Sequence, residues 1–232
     1  MQISILGRTT AFLFIPLAAF ALFPRAAPAS AAPSRVSSLP LHAFLRKVEN
    51  SYNGVRALRA RFVQTYVSGG SRRTESGTVL FARGGRMRWD YLQPQAKLFL
   101  TDGKQALLYL PAMGQLDRSS VKKSEDYRVP FRLLLMRLHL RKYFSKIKDA
   151  PAALSHPPGN RVLLAIPKGG ARSGYRRVLM EFDTRLNLRR LVLTYSDGST
   201  MDFRFGHIER NPPLAPSAFA FHPPPGTEII QQ

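Results

Sequence analysis

Cysteine is absent from this 232-residue chain. That excludes disulfides, thiolate metal sites and cysteine nucleophiles. It also excludes N-terminal lipidation, which needs a cysteine at the cleavage point. Acidic residues are scarce, with 14 Asp and Glu against 35 Lys and Arg, and Asp90, Asp102 and Asp197 fall at strand ends or turns. The five histidines, His42, His139, His156, His207 and His222, have no metal-ligand spacing. There is no Gly-x-Ser-x-Gly elbow and no phosphate-binding loop. The sequence therefore argues against an enzyme, with no cofactor expected; a hydrolytic pair assembled in space from distant residues is the alternative left open. Beyond the N-terminal stretch there is no apolar run of the roughly 18–20 residues that cross a bilayer.

What the N-terminus does contain is the layout of an export signal. Arg8 gives a thin positive start, and Ala11 to Phe23 is apolar apart from Pro16. Small residues follow, with Ala-x-Ala patterns at Ala27/Ala29 and Ala29/Ala31. Residues 1–31 are expected to be a cleavable signal peptide cut after Ala31, since a cut after Ala32 would leave Pro33 first. An uncleaved anchor is the competing reading, but the run is short for one. Residues 32–232 are then expected to form a single exported domain, long enough to bury a core.

Charge is the other excess. The formal net charge is +21, and +19 once Arg8 and Arg25 leave with the signal. The cations are spread along the chain, clustering only at Arg72–Arg73, Lys122–Lys123, Arg176–Arg177 and Arg189–Arg190. This reads as a solvated surface suited to acidic partners or lipid headgroups, with an arginine-rich genome as the bland alternative. Export and the lack of a matching motif argue against a nucleic-acid partner.

The apolar spacing changes along the chain. Leu41, Phe44, Leu45, Val48 and Tyr52 repeat at helical spacing, with Ser38 and Pro40 before them and Asn53–Gly54 as the stop. From Val55 the period becomes two: Leu58, Ala60, Phe62, Gln64 and Tyr66 alternate with Arg59, Arg61, Val63 and Thr65. Strands are then expected at Thr78–Arg83, Arg86–Tyr91, Lys97–Thr101, Gln105–Leu110 and Gln115–Val121. Turns fall at Ser68–Ser71, Gly84–Gly85, Asp102–Gly103 and near Pro111. From Pro130, residues Phe131, Leu134, Leu135 and Leu138 fall at helical spacing. Leu133, Met136 and Leu140 make that segment apolar almost all round, which suits a core helix or a cover over an apolar hollow. Past a Pro-rich link at Pro151–Pro158, strands resume at Arg161–Ile166, Tyr175–Phe182, Arg189–Tyr195 and Thr200–Ile208. The expected fold is mainly β with helices (α+β), a strongly curved antiparallel sheet of roughly ten to eleven strands with helices on its concave side.

The order of several short segments carries a resemblance. Arg61-Phe62-Val63-Gln64 follows the first helix, Ser76-Gly77-Thr78 leads to Phe81-Ala82-Arg83, and Arg88-Trp89-Asp90-Tyr91 is followed by Pro94. Then come Thr101-Asp102-Gly103-Lys104, Tyr109-Leu110-Pro111 and Val129-Pro130-Phe131. Near the end stand Asn211-Pro212-Pro213-Leu214 and Phe219-Ala220-Phe221-His222-Pro223. Together these resemble the periplasmic outer-membrane lipoprotein carrier family, LolA, over nearly the whole mature chain.

The resemblance implies an unclosed antiparallel β-barrel with a helical lid over an apolar cavity. It implies a periplasmic, monomeric shuttle for triacylated lipoproteins. Its partners would be an inner-membrane ABC-type lipoprotein release complex and an outer-membrane lipoprotein receptor. A lipid- or lipoprotein-binding sensor of the same fold is the alternative, since fold does not fix function. Arg83 matches the position of a family arginine that latches the lid, although Gly84–Gly85 follow where the family usually has a proline. Alternation groups Val79 and Phe81 with Arg83, and Met87, Trp89 and Tyr91 with one another. The resemblance turns both sets inward. With Phe62, Phe131, Leu134, Leu135 and Leu138, they form the acyl-cavity lining expected from the sequence.

Overall fold

Helix α1 opens the folded unit in the computed structural model, which describes residues 38–121, 131, 138–151, 159–169 and 174–231; all lie within the unit Pro33–Gln232. The helix spans Leu41–Asn53, buries Phe44, Leu45, Val48 and Tyr52, and is capped by Pro40 and Gly54. The four buried residues are those whose spacing predicted the helix.

Six strands follow: β1 (Ala57–Ser68), β2 (Ser71–Ala82), β3 (Arg86–Gln93), β4 (Lys97–Thr101), β5 (Gln105–Leu110) and β6 (Gln115–Ser120). After a short helix α2 (Leu140–Tyr143) come β7 (Phe144–Asp149), β8 (Arg161–Pro167), β9 (Tyr175–Phe182), β10 (Leu188–Tyr195), β11 (Thr200–Arg210) and β12 (Glu228–Gln231). They form one sheet in the order β12-β6-β5-β4-β3-β2-β1-β11-β10-β9-β8-β7. Two antiparallel meanders meet where β1 pairs with β11, with Phe62 opposite Phe205. Among the described strands, only β12 pairs in parallel, along β6. The sheet ends at β12 on one side and β7 on the other, so it is unclosed.

The twelve strands exceed the expected count for a physical reason. β7 reads Phe-Ser-Lys-Ile-Lys-Asp and β12 reads Glu-Ile-Ile-Gln. Both are edge strands that bury little, so neither shows the alternation that marks a half-buried strand. β2 likewise begins at Ser71 instead of Thr78. Its first four residues are exposed and are held by pairing with β1 across a tight Gly69–Gly70 turn. β2 ends at Ala82, which leaves Arg83 at the start of the turn. Most of the helix expected from Pro130, including Leu134 and Leu135, lies outside the described residues.

One face of the sheet carries the core. Alternate residues of β1, β2 and β3 are buried there, and β11 adds Met201, Phe203 and Phe205. Gly77 marks a tight crossing: a Cβ at this position would lie 1.9 Å from the Asp90 carbonyl oxygen, next to a register shift between β2 and β3. Gly77→Ala is expected to destabilise the fold by about 1–3 kcal/mol through overpacking against rigid backbone, read as a lower urea midpoint with unchanged slope.

Candidate functional site

An apolar hollow lies between α1, the C-terminal meander and residues 131 and 138–144. Phe131, Leu138, Leu140, Tyr143 and Phe144 cover it. Val178, Met180 and Phe182 of β9 and Leu188, Leu191 and Leu193 of β10 form its wall, with Tyr52, Pro167, Lys168 and Tyr175 at the margins. Its volume is about 210 Å³. The wall arises from period-two strands in register: Leu193 faces Val178 and Leu191 faces Met180, so alternate side chains of both strands point the same way.

The cover is tied to α1 by two side chains one helical turn apart. The Leu138 N–H donates to Asn53 Oδ1 at 2.7 Å, and Asn53 Nδ2 donates to the Leu138 carbonyl at 3.2 Å. The Leu140 N–H donates to Glu49 Oε1 at 2.8 Å. Glu49 and Asn53 occupy i and i+4 positions, so they share one face of the helix.

Arg83 holds the same end of α1 from the other side. Its Nε donates to the Val55 carbonyl at 3.0 Å, and Nη2 donates to the Asn53 carbonyl. Asn53 is thereby bonded through its backbone to Arg83 and through its side chain to the cover. Gly84–Gly85 does not leave this corner free, because the Gly84 carbonyl packs against Gly103 so closely that a Cβ there would approach to 2.1 Å.

Two further arginines fix the helix. Arg161, only 9% exposed, makes a bidentate pair with Asp149 at 2.6 and 2.9 Å, donates to the Leu39 carbonyl at 2.6 Å and lies over the Phe44 ring. Arg210 donates to Ser51 Oγ at 2.6 Å and to Asn187 Oδ1 at 3.0 Å. Beside it the Tyr52 hydroxyl accepts from the Leu188 N–H at 2.8 Å. Burial pushes the Tyr52 pKa from its ordinary 10.0 up to about 12. The neutral phenol's contribution is intact below the unfolded value and is lost as pH climbs toward the folded one. Folding stability is thus expected to fall by about 2–3 kcal/mol across that window, and a Tyr52→Phe variant should lose less. Denaturant titrations on either side of the window measure it.

Apart from Leu134 and Leu135, which lie outside the described residues, the residues expected to line the hollow fall into three groups. Phe131 and Leu138 border the cavity. Phe81 borders a second, much smaller void with Tyr52, Leu58 and Phe205. Phe62, Val79, Met87, Trp89 and Tyr91 are packed in the core beside it, each no more than 2% exposed. There Trp89 meets Phe62 at 4.9 Å, Phe131 at 5.2 Å and Phe203 at 5.6 Å between ring centroids. Phe131 is the ring that separates this aromatic core from the cavity, and it also contacts Phe203 at 4.8 Å.

With that geometry in view, the comparisons are specific. A family model described as outer membrane lipoprotein carrier protein LolA matches residues 53–222. The chain belongs to the LolA family. An outer-membrane lipoprotein carrier protein of Dechloromonas aromatica is 33% identical over 215 residues, covering 91% of this chain and 92% of the relative. One of Cupriavidus necator is 28% identical over 220 residues, covering 93% and 95%. An uncharacterized conserved protein from Thermus thermophilus has a crystal structure that superposes with a TM-score of 0.52 at 12% identity, covering 81% of this chain and 98% of that one. That last likeness speaks to the fold alone.

For this LolA-family chain, sequence reasoning missed the clasp and the wall. Asn53 was legible only as part of a helix stop, and Glu49 did not stand out. The spacing of Glu49 and Asn53 was available, but their partners are backbone groups 91 and 85 residues away, which no local pattern encodes. The β9–β10 wall was visible as strands, yet nothing in the alternation says which part of a sheet is left unfilled.

Proposed function

We propose that this LolA-family chain is a periplasmic carrier that takes the acyl chains of triacylated lipoproteins into the β9–β10 hollow and carries them to the outer membrane. The observation that carries the reading is an apolar cavity lined on one side by Phe131, Leu138 and Leu140, with Leu138 and Leu140 tied to α1 through a few hydrogen bonds. In this reading residues 1–31 are an export signal removed from the working protein. An inner-membrane ABC-type release complex loads it, and an outer-membrane lipoprotein receptor or the membrane itself unloads it. It acts as a monomer, without catalysis or cofactor, and its basic surface meets acidic partners or headgroups.

The energetics fit such a role. Each buried methylene contributes about 0.8 kcal/mol, so a palmitoyl chain in water costs on the order of 12 kcal/mol. Unassisted passage through an aqueous gap is negligible on that scale. Pockets for drug-sized ligands run about 300–1,000 Å³, and the closed hollow is smaller than that. Loading therefore requires the cover to lift. When it does, Phe131 withdraws from the aromatic core, and Phe81, Trp89 and Phe62 join the wall. In this reading the lining expected from the sequence is reached by opening.

Arg83 then acts on the cover through Asn53. Arg83→Leu removes two charge-assisted bonds, each worth about 1.5–3 kcal/mol. It is expected to loosen the end of α1, weaken closure and slow cargo release at the acceptor. Transfer at the normal rate by this variant would count against the latch. For the function itself, the mature protein is incubated with inner membranes that release a labelled triacylated lipoprotein. A soluble one-to-one complex that delivers label to outer membranes is expected. Retention of small lipid without any lipoprotein complex would favour the sensor reading instead.

A further inference from the structure

Trp89 is the one tryptophan in the chain, it is fully buried, and its indole Nε1 has no hydrogen-bond partner among the described residues. A buried indole N–H ordinarily finds one, and leaving a donor unmet is unfavourable. Five rings pack around it, those of Phe62, Phe81, Phe131, Phe203 and Phe205. The nearby polar network does not reach it. Tyr91 Oη donates to Gln64 Oε1 at 2.7 Å, Gln64 Nε2 donates to Glu75 Oε2 at 3.1 Å, and Lys97 donates to Glu75 Oε1 at 2.6 Å.

We infer that the Trp89 indole N–H is a polar anchor for cargo, donating a hydrogen bond to an ester carbonyl of the bound acyl group once Phe131 has withdrawn. The inference rests on the acyl-carrier reading and adds the chemistry that this site selects. A lone donor in a nest of rings calls for an acceptor that brings no donor and no charge. A carboxylate would carry its charge into apolar surroundings at a large desolvation penalty. A hydroxyl would bring a donor with nothing to receive it. An ester carbonyl meets both conditions and is the polar group that a glycerol-linked acyl chain carries. Phe131 links the two places, since it borders the cavity and contacts Trp89. The empty protein thus holds its donor unmet under a ring that moves on loading, and the ligand's gain is largest where its acceptor lies beside the indole.

The single tryptophan makes this directly readable. In a proton–nitrogen correlation spectrum the protein gives one indole cross-peak, which moves downfield when the N–H gains an oxygen acceptor. The probes are dipalmitoylglycerol and its dihexadecyl ether, identical in chain length but without carbonyls in the second. Both are loaded from micelles, with occupancy read by native mass spectrometry. The expected result is binding of both, a downfield indole shift with the ester alone, and a preference for the ester of several-fold to about tenfold. Trp89→Phe, which keeps an aromatic ring and removes the donor, should erase that preference. Equal binding and identical indole positions for the two lipids would overturn the anchor while leaving the carrier reading in place. Binding of neither would overturn both. If Trp89→Phe does not fold, the unaltered chain's indole peak still decides.

Discussion

Asn53→Ala should release the cover from α1 without unfolding the sheet. The substitution removes both bonds to Leu138 and leaves a partly buried backbone N–H and carbonyl without their partner. Each unmet group costs about 1–3 kcal/mol, so closure should weaken by about 2–4 kcal/mol, a shift of roughly thirty-fold or more in the opening equilibrium. Amide exchange at Leu138 reads this most directly, and it should accelerate by that factor while the amides of β1 and β11 stay protected. Glu49→Gln is the comparison, because it keeps a carbonyl acceptor for the Leu140 N–H and should change exchange far less. The arrangement also sets how the variants combine. Arg83 reaches the cover only through Asn53 among the described residues, so Arg83→Leu added to Asn53→Ala should cost less than the sum of the two. Strict additivity would mean that the arginine and the asparagine act on different elements.

Leu191→Trp should produce a protein that is at least as stable as the original and cannot hold cargo. Leu191 borders the cavity and is only partly buried, so a larger side chain can grow into empty space without displacing packed neighbours. Filling such a void commonly stabilises a protein by about 0.5–2 kcal/mol. Each methylene of cargo excluded forfeits about 0.8 kcal/mol, so displacing four of them lowers affinity more than one-hundred-fold. The combination of gained stability and lost binding separates a filled site from a damaged fold. Thermal unfolding gives the first quantity, and co-purification of acylated lipoprotein gives the second. A variant that is stabilised and still carries lipoprotein would remove the β9–β10 hollow from the account.

Sequence patterning carried most of the fold and little of the site's position. Helix α1 and ten of the strands were legible from apolar spacing and from the turn residues between them, with alternation clearest in β1 and β3. The edge strands β7 and β12 escaped notice because neither shows the alternation of a half-buried strand. Of the lining expected from the sequence, Phe131 and Leu138 border the hollow, while Phe62, Val79, Met87, Trp89 and Tyr91 pack in the core beside it. Whether a concave face is filled or empty depends on which ring from elsewhere lies on it, and Phe131 is far from those strands in sequence. The arginines show the same division. Arg83 stood out through the resemblance, whereas Arg161 and Arg210 looked like any other members of a basic surface. Their roles depend on Leu39, Ser51 and Asn187, brought together by the fold.

The most direct test places the acyl chain itself. A triacylated lipoprotein carrying a photoreactive group at the end of one acyl chain is loaded onto the mature protein, irradiated and digested. The account predicts adducts on Val178, Met180, Leu191 or Leu193, with the Leu191→Trp variant giving none. Adducts confined to the outer face of the sheet or to the C-terminal tail would contradict it.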